Sequence, residues 1–207
     1  LILFQLLASQ SIMYFNGERA MDYLEFQCSL GPRYPGSQGH DDFISYINQF
    51  LEDRADEVYQ MNDVGYSSVE DKSVDLSTFM ARFNALATER IMIMAHWDTR
   101  RYADMESDTL KAMQPILGAN DGASGVAVLM VLSEILRDNP LINIGVDLLF
   151  IDGEDMGVSG VSDSWGTGMD IISSKLIEPY PEYAICLDMV GDKDQQFYIE
   201  GFSFMYG

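Results

Sequence analysis

The chain has 207 residues, 47% of them hydrophobic and 12% aromatic, enough apolar material for one sizeable domain with its own core. Asp and Glu number 33 against 12 Lys and Arg, a formal charge of −21. That balance argues against nucleic acid, whose phosphates call for a basic patch, and against an anionic membrane surface.

The first residues, "LILFQLLASQ", are an apolar stretch followed by small polar residues. Residues 1–15 read as the end of a secretory signal or as an N-terminal helix docked on the core. The expectation is an exported protein, secreted or periplasmic, with the cytoplasm as the alternative and no membrane attachment in the mature form. No other run approaches the roughly 18 apolar residues of a spanning helix.

Ala20, Tyr23, Leu24 and Cys28 recur at helical spacing and predict a helix over 17–30, stopped by the Pro and Gly of "GPRYPGSQG". Asp41 and Asp42 open a second helix through "FISYINQFLEDRA", with acids where the helix dipole favours them. Residues 56–73 are polar and give no clear pattern. "VDLSTFMARF" (74–83) predicts a strand, and Arg90 to Ala95 a central one. Residues 99–118 read as a long polar loop, and 122–140 as a strong helix ended by Asn139 and Pro140. A buried strand is predicted at 145–151, a Gly/Ser-rich loop at 157–168 and a weak helix at 169–177. A third buried strand follows at 183–190, and a weakly alternating fourth at 196–204. Cys28 and Cys186 both look like small buried hydrophobes, and nothing in the sequence decides whether they pair. Strands apolar on both faces, alternating with helices, predict an α/β/α sandwich with a mostly parallel sheet.

Three predicted strands end in acids or a histidine. The first ends in "HWD", with His96 and Asp98; the second in "DGED", whose Asp152, Glu154 and Asp155 are crowded as if around something positive; the third in Asp188. A fourth acid, Asp121, precedes the helix that begins "GASG". In open α/β sheets ligands bind beyond the carboxyl ends of the strands, so these segments are expected to converge on one rim. Carboxylates and one imidazole without thiolates are the ligand set of a catalytic zinc or a similar divalent ion, and such a cluster needs a cation to offset its self-repulsion. Each residue also has an ordinary reading. His96 is otherwise a hydrogen-bonded core histidine, Asp121 a helix N-cap, and Asp188 a turn residue. It is the set, at successive strand ends, that points to a metal.

The segments "AHWDTR", "PILGANDGASGVAVL", "FIDGED" and "CLDMVGDKDQQFY", with "GPRYPGS" upstream, resemble the zinc aminopeptidases of metallopeptidase family twenty-eight. The likeness is greatest to their bacterial glutaminyl-cyclase-like branch and runs from about residue 17 to 207. It implies a three-layer α/β/α sandwich around a mixed sheet. It also implies His96 and Asp188 as ligands of one metal position, Asp121 as the ligand that bridges two metals or binds one, and Asp155 as a further ligand. Glu154 would be the general acid/base, and Asp98 would orient the His96 imidazole. One zinc is expected, with a second as an alternative, and peptide N-termini are the expected substrates. The chain departs from the family in three ways. Asp155 stands where the family often has Glu. "SDSWGTG" stands where it tends to have Trp-Cys-Leu-Gly. The family's last zinc ligand is a histidine near its C-terminus, whereas this sequence has only His40 and His96, so the domain at 16–207 is expected to lack its C-terminal part. Conversion of an N-terminal glutamine to pyroglutamate is the first reading. Hydrolysis of N-terminal residues, and an inactive scaffold of the same fold, are the alternatives. Trp97 and Trp165 could line a pocket or simply pack, and Arg100 and Arg101 could pair with site carboxylates or be solvated.

Overall fold

A computed structural model describes residues 14–197 and 205. The segment at 1–15 falls outside the described residues except for its last two positions, and the strand expected at 196–204 falls almost wholly outside them.

Helix α1 (Gly17–Ser29) begins where the Asn16 side chain accepts the Arg19 N–H at 3.1 Å. Helix α2 (Gln38–Glu52) begins earlier than the expected Asp41. Ser37 is its N-cap, accepting the His40 N–H at 3.2 Å, and this places Asp41 within the first turn. Phe43, Ile47, Phe50 and Leu51 form its buried stripe. The stretch that gave no pattern contains strand β1 (Glu57–Ser67), which forms a hairpin with β2 (Lys72–Phe83). Strand β3 (Arg90–His96) follows. The long polar loop contains one short helix, α3 (Thr109–Ala112), before α4 (Ala123–Asp138). Strand β4 (Gly145–Ile151), helix α5 (Thr167–Ser173) and strand β5 (Ala184–Cys186) complete the order.

The sheet runs β1-β2-β4-β3-β5. Pairing is antiparallel in β1/β2 and β2/β4, and parallel in β4/β3 and β3/β5. The sheet is therefore mixed, with the parallel half where the predicted chemistry lies. Period-two alternation sorts its side chains into two cores. Phe79, Ala81, Leu148, Phe150 and Ala95 meet α1, α2 and α4 on one face. Met80, Met92, Leu149 and Ile151 meet Ile172 of α5 on the other. These are the three layers of the expected sandwich.

One ion cluster is buried in the second face. Asp147, fully enclosed, accepts from Arg90 at 2.8 Å and from Arg82 at 3.0 Å. The remaining guanidinium N–H groups donate to the carbonyls of Phe83, Asn84, Ala87, Ile177 and Glu178. Such a cluster is tolerable only because its hydrogen-bonding capacity is met.

Two expectations are corrected. The third strand is short and exposed rather than buried, because β5 pairs with β3 on one side and is outermost among the described residues. For the same reason Cys186 is exposed; Cys28 is half-buried, and both are free thiols. No helix among the described residues is long and apolar enough to cross a membrane.

Candidate metal centre

Parallel pairing of β3 with β4 puts His96 opposite Ile151, so the two strands end side by side. The turns that follow carry Asp98 on one side and Asp152–Asp155 on the other. Gly122 has φ 92°, and a Cβ there would meet the Asp98 carbonyl at 2.8 Å. Glycine at this position lets α4 start directly beneath His96, bringing Asp121 to the rim. Gly122 is the N-cap and makes no side-chain cap bond. Asp121 therefore does not serve as the cap.

The structure brings His96, Asp121 and Asp188 together: one ligand atom from each lies within 4.8 Å of the others. His96 Nε2 is 3.0 Å from Asp121 Oδ1 and 3.6 Å from Asp188 Oδ1, while Nδ1 is 3.5 Å from Asp98 Oδ1. Both ring nitrogens are buried, yet neither is aligned for a hydrogen bond with these carboxylates. An imidazole surrounded by anions but bonded to none has the donor set and spacing that a divalent cation fits. Burial alone would lower the His96 pKa, but Asp121, Asp188 and Asp98 raise it well above the ordinary value. A proton and a cation would thus compete for this ring.

Asp98 is fully buried and braces the turn after β4. Its Oδ1 accepts the Glu154 N–H at 3.1 Å and its Oδ2 the Asp155 N–H at 2.9 Å. Burial pushes its carboxyl up, but His96 and those two N–H groups outweigh burial and hold it below the usual range.

Asp155 lies outside the His96 group. Its Oδ1 accepts from Arg100 Nη1 at 3.1 Å, and its Oδ2 is buried and has no hydrogen-bond partner among the described residues. Burial, with Asp98 and Asp121 nearby, pushes its carboxyl up to about 8. Glu154 is raised to about 7, first by burial, against the pull of His96, and then by Asp98, Asp188 and Asp121. A cation between these groups would reverse the push. Asp121, Glu154, Asp155 and Asp188 line one cleft of about 340 Å³ together with Arg100, Asp104 and Trp165. A larger cleft, about 440 Å³, lies beside α2 and the start of β2. Among the described residues the group of possible metal ligands lies at the smaller cleft.

Several residues take roles that sequence reasoning did not give them. Asp152, the first acid of "DGED", points away from the cleft. Its Oδ2 is 2.8 Å from His40 Nε2 and accepts the Ser77 N–H at 2.7 Å. His40 is buried and packs at a tilt against Trp97, at 4.6 Å between ring centroids. Trp97 is itself a core residue, and its Nε1 donates to the Ser77 carbonyl at 3.1 Å. The signal for His40 was its place on the α2 stripe, three residues before Phe43 and seven before Ile47. Arg33, within "GPRYPGS", is fully buried. It donates to the carbonyls of Gln27, Trp97, Leu117 and Gly118, tying the chain beside His96 to the chain before Asp121. Arg101 lies over Tyr34 and Tyr102 rather than on the site acids.

An α/β/α sandwich with an imidazole and several carboxylates gathered at the parallel rim is the arrangement of a protein built to hold a divalent cation there. Residues 79–205 match the sequence model of Peptidase family M28, and the chain belongs to that family. Solved structures similar over most of the chain include a Bacteroides thetaiotaomicron glutaminyl cyclase bound to N-acetylhistamine (28% identity, TM-score 0.88, 95% of this chain and 69% of that one). A Tannerella forsythia glutaminyl cyclase is 30% identical, with TM-score 0.87, over 94% and 68% of the two chains. A Zn-dependent exopeptidase from Parabacteroides distasonis is 30% identical, with TM-score 0.84, over 90% and 66%. Among curated proteins, the alkaline phosphatase isozyme conversion protein of Escherichia coli K12 is 31% identical over 88 residues. That match covers 42% of this chain and a quarter of the relative, and the chain spans about two thirds of the solved relatives.

Proposed function

We propose that this protein is a zinc-dependent glutaminyl-peptide cyclotransferase, converting the N-terminal glutamine of peptides to pyroglutamate with release of ammonia. The observation that carries the proposal is the joint placement of His96, Asp121 and Asp188 within reach of one cation, beside Glu154 in the same acidic cleft. Similarity to glutaminyl cyclases over most of the chain supports it. In this reading one zinc is bound at a rim whose candidate ligands are His96, Asp121 and Asp188 on one side and Asp121 and Asp155 on the other, and Asp98 orients His96. Zinc, when bound, supplies Lewis-acid polarisation of the substrate's side-chain amide carbonyl. Glu154 takes a proton from the peptide's α-amino group, whose nitrogen attacks that carbonyl. Glu154 then returns the proton to the departing ammonia. The acidic walls suit a substrate that arrives as an N-terminal ammonium, which gives one proton to solvent before its free amine reacts. His40, bonded to Asp152, does not supply the family's last histidine ligand. The apolar stretch at the start of the sequence supports export to the periplasm or beyond.

A second reading is a zinc aminopeptidase, supported by the likeness to the Parabacteroides exopeptidase. There a water is the nucleophile, and Glu154 carries its proton to the leaving amine. The test incubates full-length protein with Gln-peptides and with aminoacyl-anilides. Ammonia release without new amine termini supports the cyclase. Anilide hydrolysis overturns it in favour of the peptidase. Neither activity, with no zinc bound, leaves the scaffold.

A further inference from the structure

Arg100 is the one cation among the described residues lining the acidic cleft, and its guanidinium is committed on every side. Nε and Nη2 donate to the two oxygens of Asp104 at 2.7 and 2.5 Å. Nη1 donates to Asp155 Oδ1 at 3.1 Å and to the Gly157 carbonyl at 3.2 Å. Its Cζ lies over the Trp165 ring, 4.5 Å from the ring centroid. A planar fork bonded along both edges, with its carbon over an indole ring, is restrained from swinging. Asp155 is consequently fixed at two points, its N–H by Asp98 and its Oδ1 by Arg100. Only Oδ2 remains, buried and, among the described residues, without a hydrogen-bond partner.

We propose that Arg100 is a positioning residue for the metal centre. It clamps one oxygen of Asp155 so that the other alone is presented to the cation, and Asp104 and Trp165 clamp Arg100 in turn. This rests on the reading above in which Asp155 is a ligand. It also gives a role to Trp165, which stands in the segment where the chain departs from its family. Two effects compete. A guanidinium near a bound cation repels it, whereas a fixed ligand oxygen binds it better than a swinging one. Asp104 already offsets the Arg100 charge through both its oxygens, so alignment is the larger effect.

The test measures zinc affinity by chelator competition, and the visible spectrum of the Co(II)-substituted site, in full-length wild type, Arg100→Lys, Arg100→Met and Asp104→Asn. Lysine keeps the charge but loses the fork and the stacking. The expected result is zinc binding about 10- to 100-fold weaker in both Arg100 variants, the usual cost of losing a ligand's orienting partner. The Co(II) spectrum should change with it, and Asp104→Asn should shift both readouts in the same direction by less. Arg101→Ala should leave both unchanged. Arg100→Lys or Arg100→Met binding zinc as well as wild type, or tighter, overturns the inference. If the Arg100 variants fail to fold, an unchanged affinity in Asp104→Asn overturns it instead. A wild type that binds no zinc overturns both this inference and the reading beneath it, whereas variants that match a zinc-loaded wild type overturn this inference alone.

Discussion

Both oxygens of Asp98 are occupied by the N–H groups of Glu154 and Asp155, and the same carboxylate lies beside the His96 ring. One buried acid thus sets the distance between the imidazole and the two carboxylates that follow β4. The three acids of "DGED" do not share one task. Asp152 continues the parity of Val146, Leu148 and Phe150 and so faces α2, where His40 meets it. Period two on β4 made that direction legible. Its partner was not legible, because reading α2 from Asp41 left His40 in a loop, whereas the Ser37 cap puts it in the first turn. His96, Asp121 and Asp188 were legible because their motifs stand at strand ends and a helix start. Arg33 was not, and Arg100 only as one of two readings, since nothing local distinguishes a buried arginine from a solvated one. The proposed role of Glu154 belongs at this scale. Glu154→Gln keeps the side chain's size and its backbone bond to Asp98 but cannot carry a proton. It is expected to lower kcat by roughly 10²- to 10⁴-fold while leaving the urea midpoint within error of wild type.

At the scale of elements, the strand that sequence reading missed is β1. Among the described residues it pairs on one side only, and most of its residues alternate between exposed and half-buried, so Gln60, Asn62 and Asp63 dilute its apolar signal. The error in β5 was the opposite. "YAICLDMV" is apolar enough for a central strand, and only topology shows that it ends the described sheet. Two element contacts give predictions. Asp147 stands inside the buried run of β4 for no reason visible along the sequence, and its reason is the pair Arg82 and Arg90 from the neighbouring strands. Asp147→Ala strands two buried guanidinium groups without their counter-charge and is expected to cost about 3–5 kcal/mol in urea unfolding. The other contact joins α1 to α4, where Glu134 accepts from Tyr23 and from Arg19 at 3.1 Å and lies 3.5 Å from Arg54. Burial raises the Glu134 pKa, but Arg19, Tyr23 and Arg54 outweigh it and hold the group below its ordinary value of 4.5. A folded-state pKa below the unfolded one stabilises at pH above the unfolded value, and that stability is lost as pH falls through the folded one. Glu134→Gln is therefore expected to cost on the order of 1 kcal/mol at pH 7, given the partial exposure of Arg19. The difference from wild type should close once the pH is below the depressed folded-state value, as followed by thermal unfolding across pH 2–7.

At the scale of the whole molecule, the sheet order explains why residues far apart in sequence share one rim. The parallel trio β4-β3-β5 delivers three strand ends to the same side, and α4 starts there because Gly122 permits it. The class of fold was readable from apolar strands alternating with helices. The antiparallel β1-β2 hairpin that makes the sheet mixed was not, because its first strand could not be recognised. The net charge of −21 also takes on meaning at this scale, since part of it is gathered where a cation is needed. The most direct measurement is anomalous diffraction at the zinc absorption edge from crystals of the full-length protein. The account predicts a zinc peak about 2.0–2.2 Å from an Asp121 oxygen, with further carboxylate or imidazole ligands drawn from His96, Asp155 and Asp188. No peak at that rim, with the side chains of Asp121, Asp155 and Asp188 turned apart, would contradict it.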